Sequence, residues 1–144
     1  MKIQKADKLY GELADFIGQQ STSRRAKCGA VLVEDGLENI IAFGYNGTPR
    51  GWDNNCEHYN DSSEELETKR EVLHAETNAI AKVARTTSSS EGSTLYVSLS
   101  PCYDCAKLVY QAGVVRVVYN KEYRDRSGID FLLEAGVECE EREL

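Results

Sequence analysis

Residues 94–113, TLYVSLSPCYDCAKLVYQAG, decide the fold because their periodicity changes from that of a strand to that of a helix. Leu95, Val97 and Leu99 alternate with less apolar residues, which is typical of a strand. Pro101 ends this strand. A predicted helix follows and ends at Gly113. Its apolar face carries Cys105, Leu108, Val109 and Ala112. A strand that leads directly into a helix is therefore the unit on which the rest of the chain is built.

The same order continues towards the C-terminus. The apolar run VVRVVY, residues 114–119, predicts a second strand. Ser127 is a candidate cap for a helix that ends at Gly136. The apolar positions of that helix are Ile129, Leu132, Leu133 and Ala135. Residues 137–139 then predict a short edge strand.

Towards the N-terminus, the pattern predicts a helix over about 74–86, from the spacing of Ala75, Ala79, Ile80 and Val83. Residues 28–33 and 40–45 predict two apolar strands, and the turn between them contains Gly36, a residue that tolerates positive φ. These strands should form an antiparallel hairpin. Apolar residues at three- and four-residue steps over 3–17 predict an opening helix.

Residues 46–73 form the longest stretch without a clear period. Long irregular segments in compact domains are usually functional or disordered. We expect both ends of this segment to be functional and its acidic middle, around Glu64–Glu67, to form a short solvated helix.

Strands that alternate with helices after an opening hairpin predict an α/β fold, a mixed sheet covered by helices on both faces. This is a three-layer α-β-α sandwich. The 144 residues contain no internal repeat and fit one domain over 1–144. Cys28 and Cys139 fall in strand patterns and are expected to be small core residues.

The charge balance limits the partners. Seventeen basic and twenty-four acidic residues give a net charge of −7. This disfavours binding to a nucleic-acid polymer, which depends on neutralising phosphates, but leaves a small anionic substrate open. The sequence shows neither a signal peptide nor an apolar run that could span a membrane, so a cytoplasmic location is expected. Five cysteines without an export signal favour a metal or catalytic role over disulfides.

Two short fragments carry the candidate chemistry, His74-Ala75-Glu76 and Pro101-Cys102-Tyr103-Asp104-Cys105, each at a predicted helix start. Cys102 and Cys105 are three residues apart, so one helical turn points both sulfurs the same way. The positive end of a helix stabilises thiolates, the metal-binding form. With His74, they make three protein ligands, which leave one tetrahedral position for water, as in catalytic zinc sites.

Glu76 is the candidate proton carrier. Two residues span about 200° around an ideal helix, so His74 and Glu76 cannot face one metal from mid-helix. We therefore expect His74 at or before the helix cap, and Glu76 in the first turn within reach of the metal-bound water. Zinc lowers the pKa of such a water towards about 7.

Two alternatives to a catalytic zinc site are open. The first is a redox pair formed by Cys102 and Cys105, but such a pair would not need His74-Ala75-Glu76. The second is a closed structural zinc site, for which Cys56 or His58 could supply the fourth ligand. The complete pattern H-x-E…P-C-x-x-C is the signature of zinc-dependent nucleobase deaminases, and it favours the catalytic interpretation.

These residues resemble the cytidine and deoxycytidylate deaminase superfamily, and over about 14–139 the chain is most similar to deoxycytidylate (dCMP) deaminases, including the bacteriophage type. The discriminating stretch is GYNGTPRG, residues 44–51, followed by Asn55-Cys56. The resemblance implies a five-stranded mixed sheet and hydrolysis of dCMP to dUMP and ammonia, which supplies dUMP for dTTP synthesis. It also implies a homo-oligomer, commonly a hexamer, activated by dCTP and inhibited by dTTP, with Mg²⁺ on the triphosphate. A phage-encoded member would act in the host cytoplasm.

The resemblance also implies residue roles. Zinc-bound hydroxide would attack C4 of cytosine, and Glu76 would protonate N3 and then the leaving amine. The backbone of Ala75 would bond the base carbonyl, the Ser100 carbonyl would hold the amine, and Asn46 would contact the sugar. The other substrate-binding positions implied are Tyr123 and the segment Thr68–Val72, where Lys69 and Arg70 could meet the phosphate. The candidate regulatory or phosphate-binding residues are Arg24, Lys27 and Gly47.

Several of these assignments have a structural alternative. Asn46 could simply form a turn with Gly47, and Tyr123 could be ordinary edge packing. Lys69 and Arg70 could be a solvated charged face, and Arg24 and Lys27 share that alternative. Some phage members bind a second, structural zinc with cysteines where this chain has Ser23 and Arg24, so we predict one zinc per chain.

Two competing functions are also open. One is deamination of another base or carrier, such as cytidine, a guanine-type base or tRNA adenosine, against which the acidic charge and residues 44–51 argue. The other is a non-catalytic zinc module, against which the intact Glu76 argues.

Overall fold

The computed structural model describes residues 1–142, so the last two residues of the predicted 1–144 domain lie outside the described part. Within it, the helices are α1 (Ile3–Gly18), α2 (Ala75–Val83), α3 (Tyr103–Gln111) and α4 (Ser127–Glu134). The strands are β1 (Gly29–Val33), β2 (Ile40–Tyr45), β3 (Glu57–Asn60), β4 (Glu65–Thr68), β5 (Thr94–Leu99), β6 (Arg116–Lys121) and β7 (Glu138–Glu141).

The main sheet has five strands in the order β2-β1-β5-β6-β7. Strand β1 pairs antiparallel with both β2 and β5, whereas β5-β6 and β6-β7 are parallel pairs. The predicted five-stranded mixed sheet and its opening hairpin are thus confirmed. The predicted positive φ at Gly36 is also present, at 95°.

Helices cover both faces of this sheet, which confirms the three layers. On one face, α1 packs through Tyr10 and Ala14 against a cluster that includes Val31, Tyr96 and Val118. Helices α2, α3 and α4 cover the other face, where the larger core cluster lies. Because both faces of β1 are buried, its sequence is a continuous apolar run rather than an alternation. Cys28 and Cys139 are half-buried and pack against the larger cluster, as expected.

The acidic segment is a hairpin, so the predicted short helix around Glu64–Glu67 is wrong. Strands β3 and β4 pair antiparallel across a turn that contains Glu64 at φ 57°. Cross-strand polar contacts hold it: Asn60 donates to Glu67 over 2.7 Å, and His58 lies 3.4 Å from the same carboxylate. The segment lacks the apolar stripe that stabilises a helix by packing, and these pairs stabilise a hairpin instead.

The predicted cap at Ser127 is also wrong. Ser127 is the first residue of α4, and Arg126 occupies the cap position without a side-chain cap bond. The Ser127 N–H donates instead to the Asp125 carboxylate over 2.9 Å. Asp125 therefore provides the acceptor at this helix start.

Glycine allows the site-bearing elements to approach closely. A Cβ at Gly44 in β2 would lie 2.6 Å from the Ala75 carbonyl oxygen and 2.7 Å from the Ala79 nitrogen. A Cβ at Gly128 in α4 would lie 2.1 Å from the Pro101 carbonyl oxygen. Real side chains do not fit at these distances, so both glycines set where the starts of α2 and α3 lie. Among the described residues, no helix combines the length and apolar character needed to cross a bilayer.

Candidate active site

The two sequence fragments lie at adjacent helix starts. His74 occupies the cap position of α2 with an extended backbone, φ −77° and ψ 160°, and Glu76 follows in the first turn. This confirms the expected cap position of His74. Cys102 caps α3 in the same way, at φ −69° and ψ 170°, and Cys105 follows one turn later.

The three predicted ligand atoms converge. The Nδ1 of His74 lies 3.2 Å from the Sγ of Cys105 and 3.6 Å from the Sγ of Cys102, and all three atoms lie within 4.8 Å of one another. Sulfur and nitrogen atoms on one tetrahedral zinc are about 3.6 Å apart, from bond lengths of about 2.3 and 2.0 Å. One imidazole and two thiols suit zinc in type and spacing. This group could therefore hold zinc without rearrangement.

The local electrostatics favour a thiolate at Cys102. Hydrogen bonds from Cys105 and His74 lower the pKa of Cys102 to about 4. Hydrogen bonding to Cys102, together with burial, raises the pKa of Cys105. The hydrogen bond to Cys102 likewise raises the pKa of His74. A metal would therefore meet a thiolate at Cys102 and would compete with a proton at Cys105.

Glu76 is a buried carboxyl beside these ligands, with 6% of its surface exposed. Burial raises its pKa to about 7, against the opposing effects of its own backbone N–H and of His74. A general acid–base group works best when its pKa lies near the working pH. We call Glu76, His74, Cys102 and Cys105 the metal group.

Thr77 is a functional candidate that the sequence prediction missed. Its Oγ1 lies 3.9 Å from the Sγ of Cys105, on the first turn of α2. A hydroxyl there can donate to the sulfur and orient it, as neighbours of metal ligands commonly do. Its position directly after His74-Ala75-Glu76 was a signal that could have identified it.

A cavity of about 700 Å³ opens beside the metal group. His74, Glu76 and Cys102 line it, whereas Cys105 and His74 line a second cavity of about 220 Å³. Of the predicted substrate-binding residues, the cavity wall contains Asn46, Thr68, Ala75, Ser100 and Tyr123. The fold thus brings five separate chain segments to one wall.

Asn46 and Ser100 hold neighbouring segments of this wall. The Oδ1 of Asn46 accepts from the Cys28 N–H over 2.9 Å, and its Nδ2 donates to the Ala26 carbonyl over 2.8 Å. The hydroxyl of Ser100 accepts from the Tyr123 N–H over 2.6 Å. The side-chain amide of Asn46 retains one N–H and one oxygen lone pair, so these bonds leave it able to contact a sugar.

Three cations on the wall were not predicted from the sequence. Arg25, Lys121 and Arg124 line the same cavity. We call them the cation group. Arg25 stands next to the predicted Arg24, and Lys121 and Arg124 lie two residues before and one residue after the predicted Tyr123, but sequence alone does not show which of these side chains line the cavity.

The remaining predicted residues lie elsewhere. Arg24 points towards Glu57, with 3.4 Å between its Nε and Oε1, and Lys27 is exposed. Gly47 pairs through its backbone with Leu73, and Arg70 is exposed in a turn. None of the four is among the residues that line the 700 Å³ cavity. Their proposed phosphate or regulatory roles stay predictions.

Cys56 and His58, the alternative zinc ligands, lie apart from the metal group. Cys56 is buried, with its Sγ 3.6 Å from the Oγ1 of Thr22. His58 is exposed and faces Glu67. Within residues 1–142, the ligand atoms that come together are those of His74, Cys102 and Cys105.

Comparison with known proteins agrees with this geometry. Residues 4–121 match the family described as the cytidine and deoxycytidylate deaminase zinc-binding region. The deoxycytidylate deaminase of Enterobacteria phage T4 is 33% identical over 88% of this chain and 84% of its own length. The human deoxycytidylate deaminase is 37% identical over 78% of this chain and 64% of its own.

The fold matches that of a solved relative over nearly its whole length. The crystal structure of dCMP deaminase from the cyanophage S-TIM5, in complex with dCMP and dUMP, superposes with a TM-score of 0.88. The two sequences are 42% identical, and the match covers 99% of each chain. The cytidine deaminase-like architecture expected from the sequence is confirmed.

Proposed function

Because this chain belongs to the cytidine and deoxycytidylate deaminase family, as a zinc-dependent hydrolase, we propose that it converts dCMP and water to dUMP and ammonia. The observation that carries the proposal is a single cavity lined by both the metal group and the cation group. One group suits hydrolysis of an amine, and the other suits a phosphate. The relatives named above support the choice of a deoxycytidylate.

The zinc would be held by His74, Cys102 and Cys105, one ion per chain. When bound, zinc lowers the pKa of a coordinated water to about 7 and so supplies a nucleophile at neutral pH. Buried Glu76 would carry both protons of the attacking water in turn: the first to N3 of cytosine, where it stays in the product, and the second to the amine, which leaves as ammonia while the water oxygen becomes the C4 carbonyl oxygen. Its pKa of about 7 suits both directions of transfer.

Other parts of the wall would orient the base. The N–H of Ala75 lies in the first turn of α2, where backbone donors have no acceptor within the helix, and it would bond the base carbonyl. Ser100 would accept from the amine through its carbonyl, and Asn46 would contact the sugar. Thr68 and Tyr123 would close the remaining wall.

The cation group would bind the phosphate. Arg25, Lys121 and Arg124 give the cavity three positive side chains in a protein whose net charge is −7. Arginine matches phosphate oxygens in a bidentate fork, and lysine adds a compact charge. These residues would favour a nucleotide over a nucleoside.

Activity on purified zinc-loaded protein tests the proposal. Ammonia release is measured with dCMP, dCTP, cytidine, deoxycytidine and tRNA as separate substrates. We expect the highest kcat/KM with dCMP and none measurable with tRNA. A zinc-loaded chain that does not turn over dCMP would overturn the proposal.

We further propose that the enzyme supplies dUMP for dTTP synthesis and is regulated by deoxynucleoside triphosphates. Activation by dCTP and inhibition by dTTP, with Mg²⁺ on the triphosphate, are supported by the resemblance of residues 44–51 to regulated family members, as is a homohexamer. Arg24, Lys27, Gly47 and Arg70 stay candidates for effector or phosphate contacts. A dCMP saturation curve with and without each triphosphate tests regulation, and sedimentation tests the assembly. The expected cytoplasmic location stays a prediction.

A further inference from the structure

We infer that Glu57 is a positioning residue that fixes Arg25 at the cavity wall and thereby sets the preference for a nucleotide over a nucleoside. The inference rests on the proposed function for its choice of ligand. It is carried by one buried side chain and by two contacts that converge on Arg25.

Glu57 is a carboxylate with only 1% of its surface exposed, at the start of β3. Its Oε2 accepts from the Ser23 hydroxyl over 2.8 Å, the Arg24 N–H over 2.9 Å and the Arg25 N–H over 3.1 Å. Successive backbone N–H groups in a turn form an anion-binding concavity, here filled by the chain's own carboxylate. Glu57 thus fastens residues 23–25 to a strand far away in sequence.

The ionised form of Glu57 is the one that holds this turn. Burial alone would raise its pKa, but the hydrogen bonds from Arg25, Ser23 and Arg24 outweigh burial and lower it. An ionised carboxylate accepts hydrogen bonds on both oxygens and offers no donor that would repel the N–H groups. The contact is therefore specific to a carboxylate.

The same hairpin holds the other end of Arg25. Its Nη1 donates to the Oγ1 of Thr68 over 3.1 Å. Thr68 is the cross-strand partner of Glu57 in the β3–β4 pairing. Both Arg25 and Thr68 line the cavity, whereas the neighbouring Arg24 turns back towards Glu57. One strand register thus fixes both the backbone and the guanidinium of Arg25.

A fixed guanidinium binds phosphate more strongly than a free one. An arginine on an unrestrained loop loses rotamer and backbone freedom when it binds, and this loss weakens affinity. Glu57 and Thr68 remove most of that freedom before the ligand arrives. Because this gain in affinity acts through Arg25, it applies to a ligand that carries a phosphate and not to a nucleoside.

The test uses Glu57→Gln, which keeps the size but replaces one acceptor oxygen with a donor facing other donors. We expect KM for dCMP to rise about tenfold, with kcat within about twofold, the scale of one charged hydrogen bond. The kcat/KM for deoxycytidine should not change. Glu65→Gln makes the same chemical change at an exposed position of the facing strand and should leave all values unchanged.

A double-mutant cycle separates positioning from general damage. In an Arg25→Ala background, Glu57→Gln should cause no further rise in KM for dCMP. If Glu57→Gln raises KM for dCMP equally in both backgrounds, the inference is overturned. It is also overturned if kcat/KM for deoxycytidine falls as much as kcat/KM for dCMP. If Glu57→Gln does not fold, Ser23→Ala and Thr68→Val replace it, and each should raise KM for dCMP alone.

Binding measurements keep the inference distinct from the proposed function. Calorimetry gives the affinity ratio of dCMP to deoxycytidine for the zinc-loaded wild type and for each variant. A wild type that binds dCMP without turnover overturns the proposed function and leaves the Glu57 inference testable by this ratio. A ratio that Glu57→Gln and Thr68→Val leave unchanged overturns the inference itself.

Discussion

The metal group and the cation group meet at one cavity, but the chain assembles them by different means. His74 and Glu76 are two residues apart, and Cys102 and Cys105 are three apart, each pair at the start of a helix. Local backbone geometry therefore places each pair. Arg25 comes from the loop before β1, where it donates to Thr68, whereas Lys121 ends β6 and Arg124 lies in the loop after it, so the tertiary fold brings the three together. Functional residues that local backbone geometry places together form a recognisable sequence motif. Functional residues that only the tertiary fold brings together do not.

The largest effect should come from the centre of the metal group. Glu76→Gln removes the proton carrier but keeps the side-chain size, so kcat/KM for dCMP should fall by about 10²–10⁴. Zinc content should stay at the wild-type level because Glu76 is not a ligand in the proposed site. Glu134→Gln, the same change at an exposed helix end, is the control. Wild-type activity in Glu76→Gln would remove this residue from the mechanism.

Zinc affinity should depend on pH because Cys105, one of the proposed ligands, carries a proton when no metal is bound. Hydrogen bonding and burial raise the pKa of Cys105, and the pKa of His74 is also raised. At lower pH, protons therefore compete more strongly with zinc for these ligand atoms. If zinc displaces one proton, affinity should fall about 100-fold between pH 8 and pH 6, and further if it displaces two. Chelator competition at both pH values measures this, and equal affinities would contradict the assignment of these ligands.

Substitution of Thr77 tests whether a residue just outside the H-x-E motif also supports the metal site. Thr77→Val keeps the shape but removes the hydroxyl beside the Cys105 sulfur. Zinc affinity should fall about 10- to 100-fold, the scale found for neighbours of metal ligands. Thr87→Val, at an exposed position beyond α2, is the matched control. An unchanged zinc affinity would assign Thr77 a packing role only.

This difference explains what the sequence could and could not predict. The main strands and the four helices follow from apolar periodicity, because the helices and the central strands β1, β5 and β6 bury apolar faces between the layers. The cap position of His74 follows from its two-residue offset from Glu76, and the start of α3 near Cys102 follows from Pro101 and the change of period. The β3–β4 hairpin was missed because its stability depends on cross-strand polar pairs such as Asn60 with Glu67, and these show no helical or strand period.

The cation group was missed for a related reason. Charged residues near the site are numerous, and composition does not show which face the cavity. Arg25 lines the cavity and is bonded to buried Glu57 and to Thr68, whereas the side chain of Arg24 next to it faces Glu57. The role of Glu57 was also hidden, since a glutamate in an acidic stretch usually belongs to a solvated face.

Arg124 tests the cation group directly. Arg124→Ala removes one cavity-lining charge and should raise KM for dCMP about tenfold, with deoxycytidine unaffected. Added salt should reduce the difference in KM for dCMP between the wild type and the variant, because salt screens exposed charges. Arg85→Ala, an exposed residue beyond the end of α2, is the control. If Arg124→Ala lowers kcat/KM equally for dCMP and for deoxycytidine, Arg124 does not act through the phosphate.

Ser100 lies where a segment of the metal group meets a segment of the cation group, and its substitution should give the smallest change in KM for dCMP. It follows β5 just before Cys102, and its hydroxyl accepts from the Tyr123 N–H while its own N–H donates to the Lys121 carbonyl. Ser100→Ala removes only the first bond and should raise KM for dCMP about three- to tenfold, since one neutral hydrogen bond contributes about 1 kcal/mol. Ser98→Ala removes a comparable bond, from the Gly29 N–H, and should leave KM unchanged. If Ser100→Ala leaves KM unchanged, or if both variants change KM equally, the hydrogen bond between Ser100 and Tyr123 does not specifically position the segment that carries Lys121 and Arg124.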